Sequence, residues 1–278
     1  MKREETTYDS SKIRLGLRKT LTDLWDKREL IRLLVSRDLH VRYRRSVIGI
    51  FWTMLNPLLT TIVLWFVFVE LFGGRLPDNQ QYAPFVLSGV LVLTFFNQGF
   101  SQAADSLTAA YGILSKVYVP PQTFAFSSSL SNAINFLFGC IALLLVSIFT
   151  GAGIRALAPV ALIFVVCLVF YITGLGLVVS TIYIRYDDAR NVVVVLLQLM
   201  TYLTPIFYTK TILSEPVRLI VNLNPLTSFL EVFRATFCNT GVATIFDWIF
   251  MITSSLIVFV VGIKVFTKKW PSLVAMMS

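Results

Sequence analysis

Charge, and the residue types that do chemistry, are scarce in this chain of 278 residues. Only 14% of its positions are charged, and it has one histidine and three cysteines. His40 has no second histidine with which to share a metal. Cys140, Cys167 and Cys238 have no metal-like spacing, and two of them sit in apolar runs where a thiolate is costly, so they read as packed or idle thiols. No G-x-x-x-x-G-K stretch occurs, which excludes nucleotide binding in the P-loop manner. Gly174 and Gly176 lack the preceding strand and third glycine of a dinucleotide fingerprint and read instead as close helix packing. A membrane glycosyltransferase or protease would need paired carboxylates, a metal set or a nucleophile beside its base. Beyond residue 45 the acidic residues number 8, scattered over span ends and loops, and form no such set.

What the chain has in abundance is apolar length. Hydrophobic residues make up 56% of it, against roughly 45–50% in soluble domains. A bilayer core of about 30 Å takes about 20 helical residues per crossing. Six crossings are expected, over 47–72, 83–104, 127–150, 157–183, 192–208 and 245–266. The second carries Asn97 and Gln98, and the fifth is short and ends near Pro205. The expected fold is an all-α, multi-pass integral membrane protein. Residues 1–46 form its cytoplasmic N-terminal segment, 47–267 the six-span domain and 268–278 a cytoplasmic tail. Because 46 mostly polar residues precede the first apolar run, that run is expected to act as its own targeting signal rather than a cleaved leader.

The basic residues fix the expected orientation. The first 45 residues hold 13 Lys or Arg against 7 Asp or Glu, and the other 233 hold 11 against 8. Lys and Arg are retained on the cytoplasmic side. With the N-terminus inside, six crossings also keep Arg185, Arg190, Lys268 and Lys269 inside and leave Arg75, Arg155, Lys210, Arg218 and Arg234 outside.

Three stretches between the crossings carry further pattern. Residues 28–45 suit a helix lying on the inner leaflet, with Leu30, Leu33, Leu34 and Val41 roughly on one face and long basic side chains reaching for headgroups. The same basic cluster would equally serve only to set topology. "DSLTAAYGILSKVYVPP" is long enough for one or two turns of helix projecting into the cytoplasm, suited to docking another protein. In "NPLTSFLEVFRATFCNTG", Asn224 can cap a helix that opens at Pro225. Leu226, Phe229, Leu230, Phe233 and Phe237 follow at helical spacing, and Glu231 and Arg234 can pair on the flank. That helix either lies at the outer interface, dipping in and out, or packs against the bundle.

Ion- or proton-driven carriers place ionisable groups near the bilayer midplane. No expected crossing has one near its centre, so any uphill transport must draw its energy from a partner.

"SRDLHVRYRRSVIGIFWTMLNPLL" resembles the start of the first span in bacterial ABC-type polysaccharide-exporter permeases, the membrane subunits that handle O-antigen, teichoic acid, galactan and related glycans. "YIRYDDARNVVVVLLQLMTYLTPIFY" is similar to that family's loop between spans four and five and its fifth span, and "LNPLT" and "SKVYVPP" fall at matching places. Together these cover most of residues 30–267 in the expected order.

The resemblance implies a half-transporter that pairs with itself and with two copies of a separate ABC ATPase, which would hold the ATP and Mg. This chain would hold no cofactor and bind no nucleic acid; its other partners would be membrane lipids and a lipid-linked glycan exported outward. The ATPase-coupling surface it implies comprises Arg37, Asp38, Arg42, Arg44 and Arg45; Ala109, Tyr111, Gly112, Leu114 and Lys116; and Arg185, Asp187, Asp188 and Arg190. Two short outer helices, about 212–221 and 225–238, would shape the outer mouth through Asn224, Pro225, Phe229 and Phe233. Aromatic faces stack on sugars, and Phe51, Trp65, Phe68 and Phe72 share an arc of about 100° on the first span, joined more weakly by Tyr202. They read either as a conduit lining or as packing and lipid contact. The competing functions are a permease for a drug or small lipid, an enzyme of glycan or lipid synthesis, and a passive channel.

Overall fold

The computed structural model describes residues 17–71, 81–114, 119–152, 158–238 and 243–277. Among them every regular element is helical. Two helices, α1 (Leu17–Asp26) and α2 (Arg28–Tyr43), precede the apolar part. α3 (Trp52–Trp65) runs on through a π turn to Leu71, followed by α4 (Tyr82–Ala109), the single-turn α5 (Tyr111–Leu114), α6 (Gln122–Phe149) and α7 (Ala161–Tyr183). α8 (Ala189–Leu203), α9 (Glu215–Leu223), α10 (Pro225–Phe233, extended by a π turn to Cys238) and α11 (Ile245–Met277) complete the chain.

Five helical stretches are long and apolar enough to cross a bilayer: Gly49–Glu70, Tyr82–Leu114, Gln122–Phe149, Ala161–Tyr183 and Ile245–Leu273. They coincide with five of the six expected crossings. The remaining one appears as the shorter apolar α8, about 22 Å long at 1.5 Å per residue. Its end has a local cause. Pro205 disfavours helix at the residue before it, and Thr204 is accordingly extended at φ −87°, ψ 131°.

Lipid is as apolar as leucine, so burial alone gives these helices little reason to associate; close packing and interhelical hydrogen bonds must do it. α7 lies along α11, and α4 lies against α6 and α7. Gly174 and Gly262 meet where α7 and α11 cross, with backbone against backbone, and a Cβ on Gly174 would fall 2.5 Å from Val258 O. A Cβ on Gly176 would strike Ala103 on α4 at the same distance. The glycines therefore have the close-packing role expected of them. Phe136, Phe164 and Phe233 fill the adjoining layer with ring centroids 5.0–5.6 Å apart, and Thr173 donates to Ser129 Oγ at 3.0 Å between α7 and α6. Cys140 and Cys238 are buried free thiols and Cys167 is half-buried.

By contrast, α3 and α8 keep most of their apolar side chains uncovered, among them Ile62, Val63 and Phe66 on α3 and Val194, Val195 and Leu199 on α8.

A methyl group at residue 174 has no space without parting α7 from α11. Gly174→Ala is expected to destabilise the fold by about 1–3 kcal/mol, read as a lowered thermal midpoint in detergent. An unchanged midpoint would mean that the crossing carries little of the stability.

Candidate functional site

Three segments meet at the end of the bundle that carries α2. The inward face of α2 is Ile31, Leu34 and Val35, all buried. Leu34 packs with Ala110 and Phe124, and with half-buried Leu30, Leu114 and Val119. The expected face of Leu30, Leu33, Leu34 and Val41 is corrected here: Leu33 and Val41 are about two-thirds exposed. The true stripe runs 31, 34, 35, 38, 42, and turns polar towards its C-terminal end because it meets amides there. Arg42 donates to Gln102 Oε1 at 2.8 Å and Asn132 Oδ1 at 3.3 Å, Asn132 donates to Gln102 Oε1 at 2.9 Å, and Tyr43 donates to Asn135 Oδ1 at 2.7 Å. Burial raises the pKa of the Tyr43 phenol and keeps it a donor. Thus the last turn of α2 is bolted to α4 and α6.

The chain then turns sharply into α3. Arg45 takes the left-handed φ of 64°, Gly49 takes 57°, and Ser46 Oγ accepts from Gly49 N at 2.9 Å. A left-handed conformation costs an L-residue roughly 1–2 kcal/mol, so this elbow is held by its surroundings.

Of the residues expected to receive force from a partner, the structure brings most to this end. Arg37 and Asp38 pair with each other at 3.0 Å, and Arg44 and Arg45 are exposed. Ala109, Tyr111 and Gly112 are exposed on the turn formed with α5, while Leu114 anchors that turn beneath α2. Asp187 and Asp188 are exposed in the α7–α8 loop, where Arg185 lies 5.5 Å from the Tyr186 ring. Arg190 bridges to Asp105 at 3.0 Å and stacks 5.5 Å from Tyr183, which ties that loop to α4. Lys116 lies outside the described residues.

The aromatic arc of the first span divides. Phe51 and Trp65 are exposed, whereas Phe68 stacks on Phe207 at 5.8 Å and lies 6.2 Å from Tyr82. Phe72 lies outside the described residues, and Tyr202 is exposed on α8.

At the opposite end, Asn224 caps α10 as expected, its Oδ1 accepting from Leu226 N at 3.1 Å. Its Nδ2 also donates to Thr204 Oγ1 at 3.0 Å, which ties the start of α10 to the end of α8. Pro225 is the first residue of α10, and Phe229 and Phe233 are fully buried. α10 is thus packed against the bundle.

The expected Glu231–Arg234 pair does not form. Arg234 is 1% exposed, and its guanidinium donates to Ser88 Oγ (3.2 Å) and to the carbonyl oxygens of Pro205 (2.8 Å), Phe85 (3.0 Å) and Ile206 (3.0 Å). It also lies 3.6 Å from the Phe85 ring. Arg234 keeps regular helical geometry, its N–H bonding back to Leu230 O, but its side chain turns to these carbonyls rather than to Glu231. Glu231 instead lies 4.0 Å from Lys210, which is 3.7 Å from Asp247.

The family of the chain can be read from its sequence match. A family model described as "ABC-2 type transporter" matches residues 29–238, from α2 to the end of the π turn after α10. The chain belongs to the ABC-2 type transporter family. Among its relatives are two named O-antigen export system permease protein RfbA. That of Klebsiella pneumoniae is 27% identical over 86% of this chain and 92% of its own length, and that of Myxococcus xanthus is 27% identical over 77% and 82%. The capsule polysaccharide export inner-membrane protein CtrC of Neisseria meningitidis serogroup A is 21% identical over 89% and 94%. As a member of the ABC-2 family the chain is a multi-pass inner-membrane protein and a permease rather than an enzyme.

Ser88 went unremarked because it stands alone in an apolar run, and Gln102, Asn132 and Asn135 because they lie among other small polar residues, in NQGFSQAADS and SSSLSNAIN, that do not single them out. The three-residue step from Asn132 to Asn135, which puts two amides on one helix face, was the available signal. In this ABC-2 permease the guanidinium of Arg234 supplies donors to the carbonyls of Pro205 and Ile206 beyond the end of α8 and shares that of Phe85 with the Ser88 hydroxyl. Arg234→Met should cost about 3 kcal/mol or more, with part recovered in Arg234→Lys, since ammonium offers three donors against five. Thermal unfolding of the purified variants checks this, and a native-like midpoint for Arg234→Met would show that the carbonyls do not depend on it.

Proposed function

We propose that the chain is the transmembrane subunit of an ATP-driven exporter that carries lipid-linked polysaccharide from the cytoplasmic to the outer face of the inner membrane. The match to an ABC-2 transporter over residues 29–238 carries this reading. The names of the relatives, O-antigen and capsule polysaccharide export permeases, supply the class of cargo.

The α2 end is taken as cytoplasmic, in line with the positive-inside bias, and both termini lie there. α8 makes the sixth crossing together with the bent residues 204–208 that follow it. ATP and Mg reside in a separate ATPase present in two copies, and two copies of this chain pair. The uncovered apolar flanks of α3 and α8 support pairing, since most of their apolar side chains lack a partner within the bundle. Phe51, Trp65 and Tyr202, exposed on those same two helices, line the conduit between the copies.

The ATPase docks on α2, α5 and the α7–α8 loop. Its stroke enters through Tyr111, Gly112, Asp187 and Asp188 and passes by way of Leu34, Leu114 and Phe124, and through the Arg190–Asp105 bridge, into α4 and α6. The decisive experiment is reconstitution with the ATPase in vesicles containing the lipid-linked glycan, with flux measured against ATP. Deletion of the gene should in parallel leave that glycan inside the cell. ATP-independent flux, or uphill flux by the chain alone, would refute the assignment.

Asp187 and Asp188 carry no fold-critical contact, being exposed in their loop. Asp187→Lys with Asp188→Lys is expected to cut ATP-driven flux about tenfold, as loss of one interface anchor would, with an unaltered thermal midpoint. Undiminished flux would remove that loop from the docking surface.

A further inference from the structure

At the end of the bundle opposite α2, three charged side chains from separate elements meet. Lys210, on the short helical turn Lys210–Ile212 that precedes α9, lies 4.0 Å from Glu231 on α10 and 3.7 Å from Asp247 on α11. These side chains are 21%, 14% and 8% exposed, so water screens them less than it screens a surface pair. Asp247 is fixed by its own neighbours: Oδ2 accepts from Thr244 N at 2.9 Å and Thr244 Oγ1 at 2.7 Å, and Oδ1 accepts from Ser228 Oγ at 3.1 Å. Glu231 has no other ion pair among the described residues, the Arg234 guanidinium being spent on carbonyls. The ammonium stands beyond hydrogen-bond distance of both carboxylates and is pinned to neither.

The segment that carries Lys210 is anchored at its two ends and loose between them. Before it, Arg234 holds the carbonyls of Pro205 and Ile206, and Phe207 stacks on Phe68; after it, Asn224 ties to Thr204 and caps α10. Over residues 212–223 Val221 is buried, while Ile212, Leu219, Ile220 and Leu223 are more than half exposed. The Arg218–Glu215 pair stays within α9, which leaves Lys210 as the charged tie from residues 210–223 to the bundle among the described residues. Extended residues flank the turn, Thr209 at ψ 149° and Leu213 at ψ 141°, and Ser214 starts α9 without a side-chain cap. A few such residues beside a rigid piece are what a hinge consists of. Enclosing three charges costs desolvation, and their attraction offsets it only while the ammonium stays between the carboxylates. Lifting the segment exchanges that attraction for hydration of all three, a release that an apolar seal would not allow.

We propose that residues 209–223 form a strap over the outer mouth, latched shut by Lys210 between Glu231 and Asp247 and opened when that ammonium leaves them. The latch stands on the geometry above, and its place at the outer mouth rests on the export reading.

The test uses the complex with its ATPase in phosphatidylcholine nanodiscs, followed by hydrogen–deuterium exchange. Lys210→Met should raise exchange of the amides of residues 210–223 about tenfold, between the effects of losing an exposed and a buried pair, while residues 225–233 keep their native rate. Reversing the charges, Lys210→Glu with Glu231→Lys, should bring the native rate back. Native exchange over 210–223 in Lys210→Met would overturn the latch, and no recovery in the reversed pair would show that packing rather than charge holds the strap. For the mouth, Lys210→Cys and Glu231→Cys are joined by a short bis-methanethiosulfonate in a chain whose Cys140, Cys167 and Cys238 are replaced by Ala. Glycan flux in vesicles should stop on cross-linking and return on reduction. Flux undiminished by the cross-link would overturn the gating role. Absence of ATP-driven flux in the untreated native complex, with the exchange pattern intact, would sink the export reading and leave the latch standing.

Discussion

A backbone that leaves helix inside a bilayer must find its hydrogen bonds within the protein, and this chain meets that demand at one side chain. Where Pro205 stops α8, the carbonyls of Pro205 and Ile206 lose their helical partners, and Arg234 supplies donors to both while also reaching Phe85 and Ser88. Asn224 adds a second tie at Thr204. An arginine without a paired carboxylate is a poor stabiliser when buried alone. Here the carbonyl dipoles and the Phe85 ring replace the carboxylate, and α4, the end of α8 and α10 become one assembly.

The rest of the architecture follows a division of labour. In the middle of the bundle contact is made largely by removing side chains altogether, at Gly174, Gly176 and Gly262, with the Thr173–Ser129 hydrogen bond beside them. At the two ends, where polar groups are tolerable, amides and guanidinium groups hold helices together across long sequence separations, Arg42 to Asn132 at one end and Arg234 to Phe85 at the other. α3 packs on α4 and α6, with Leu64, Phe68 and Val69 against Tyr82, Phe85 and Val86, while α8 is tied by the Arg190–Asp105 bridge at one end and by Thr204 at the other. A push on α2 therefore reaches α4 and α6 directly, and α3 both through them and through the elbow.

Much of this was legible in the sequence. Runs of twenty or more apolar residues leave no alternative to spanning helices, so five crossings and the amphipathic nature of α2 could be read from composition. The Asn224–Pro225 start of α10 was legible too, because capping is local chemistry. The inward face of α2 was not, since Arg42 and Asp38 look like solvent-facing positions until Gln102 and Asn132 are known to face them. Arg234 was misplaced because spacing shows only its neighbours on α10, not the carbonyls of Phe85, Pro205 and Ile206 that the fold brings to it. Residues expected to couple to a partner, such as Tyr111 and Asp187, came to one end through topology alone, which the order of crossings supplied.

The second span, Tyr82–Leu114, is the least apolar of the five and the most enclosed. That combination sets the order of biogenesis. α3, apolar and uncovered, can leave the insertion machinery for lipid by itself, whereas a helix bearing Asn97, Gln98 and Gln102 gains little from lipid alone. It must wait at the translocon for α6 and α7, whose amides and small residues complete it, so the chain is assembled in the membrane as a three-helix unit rather than one segment at a time.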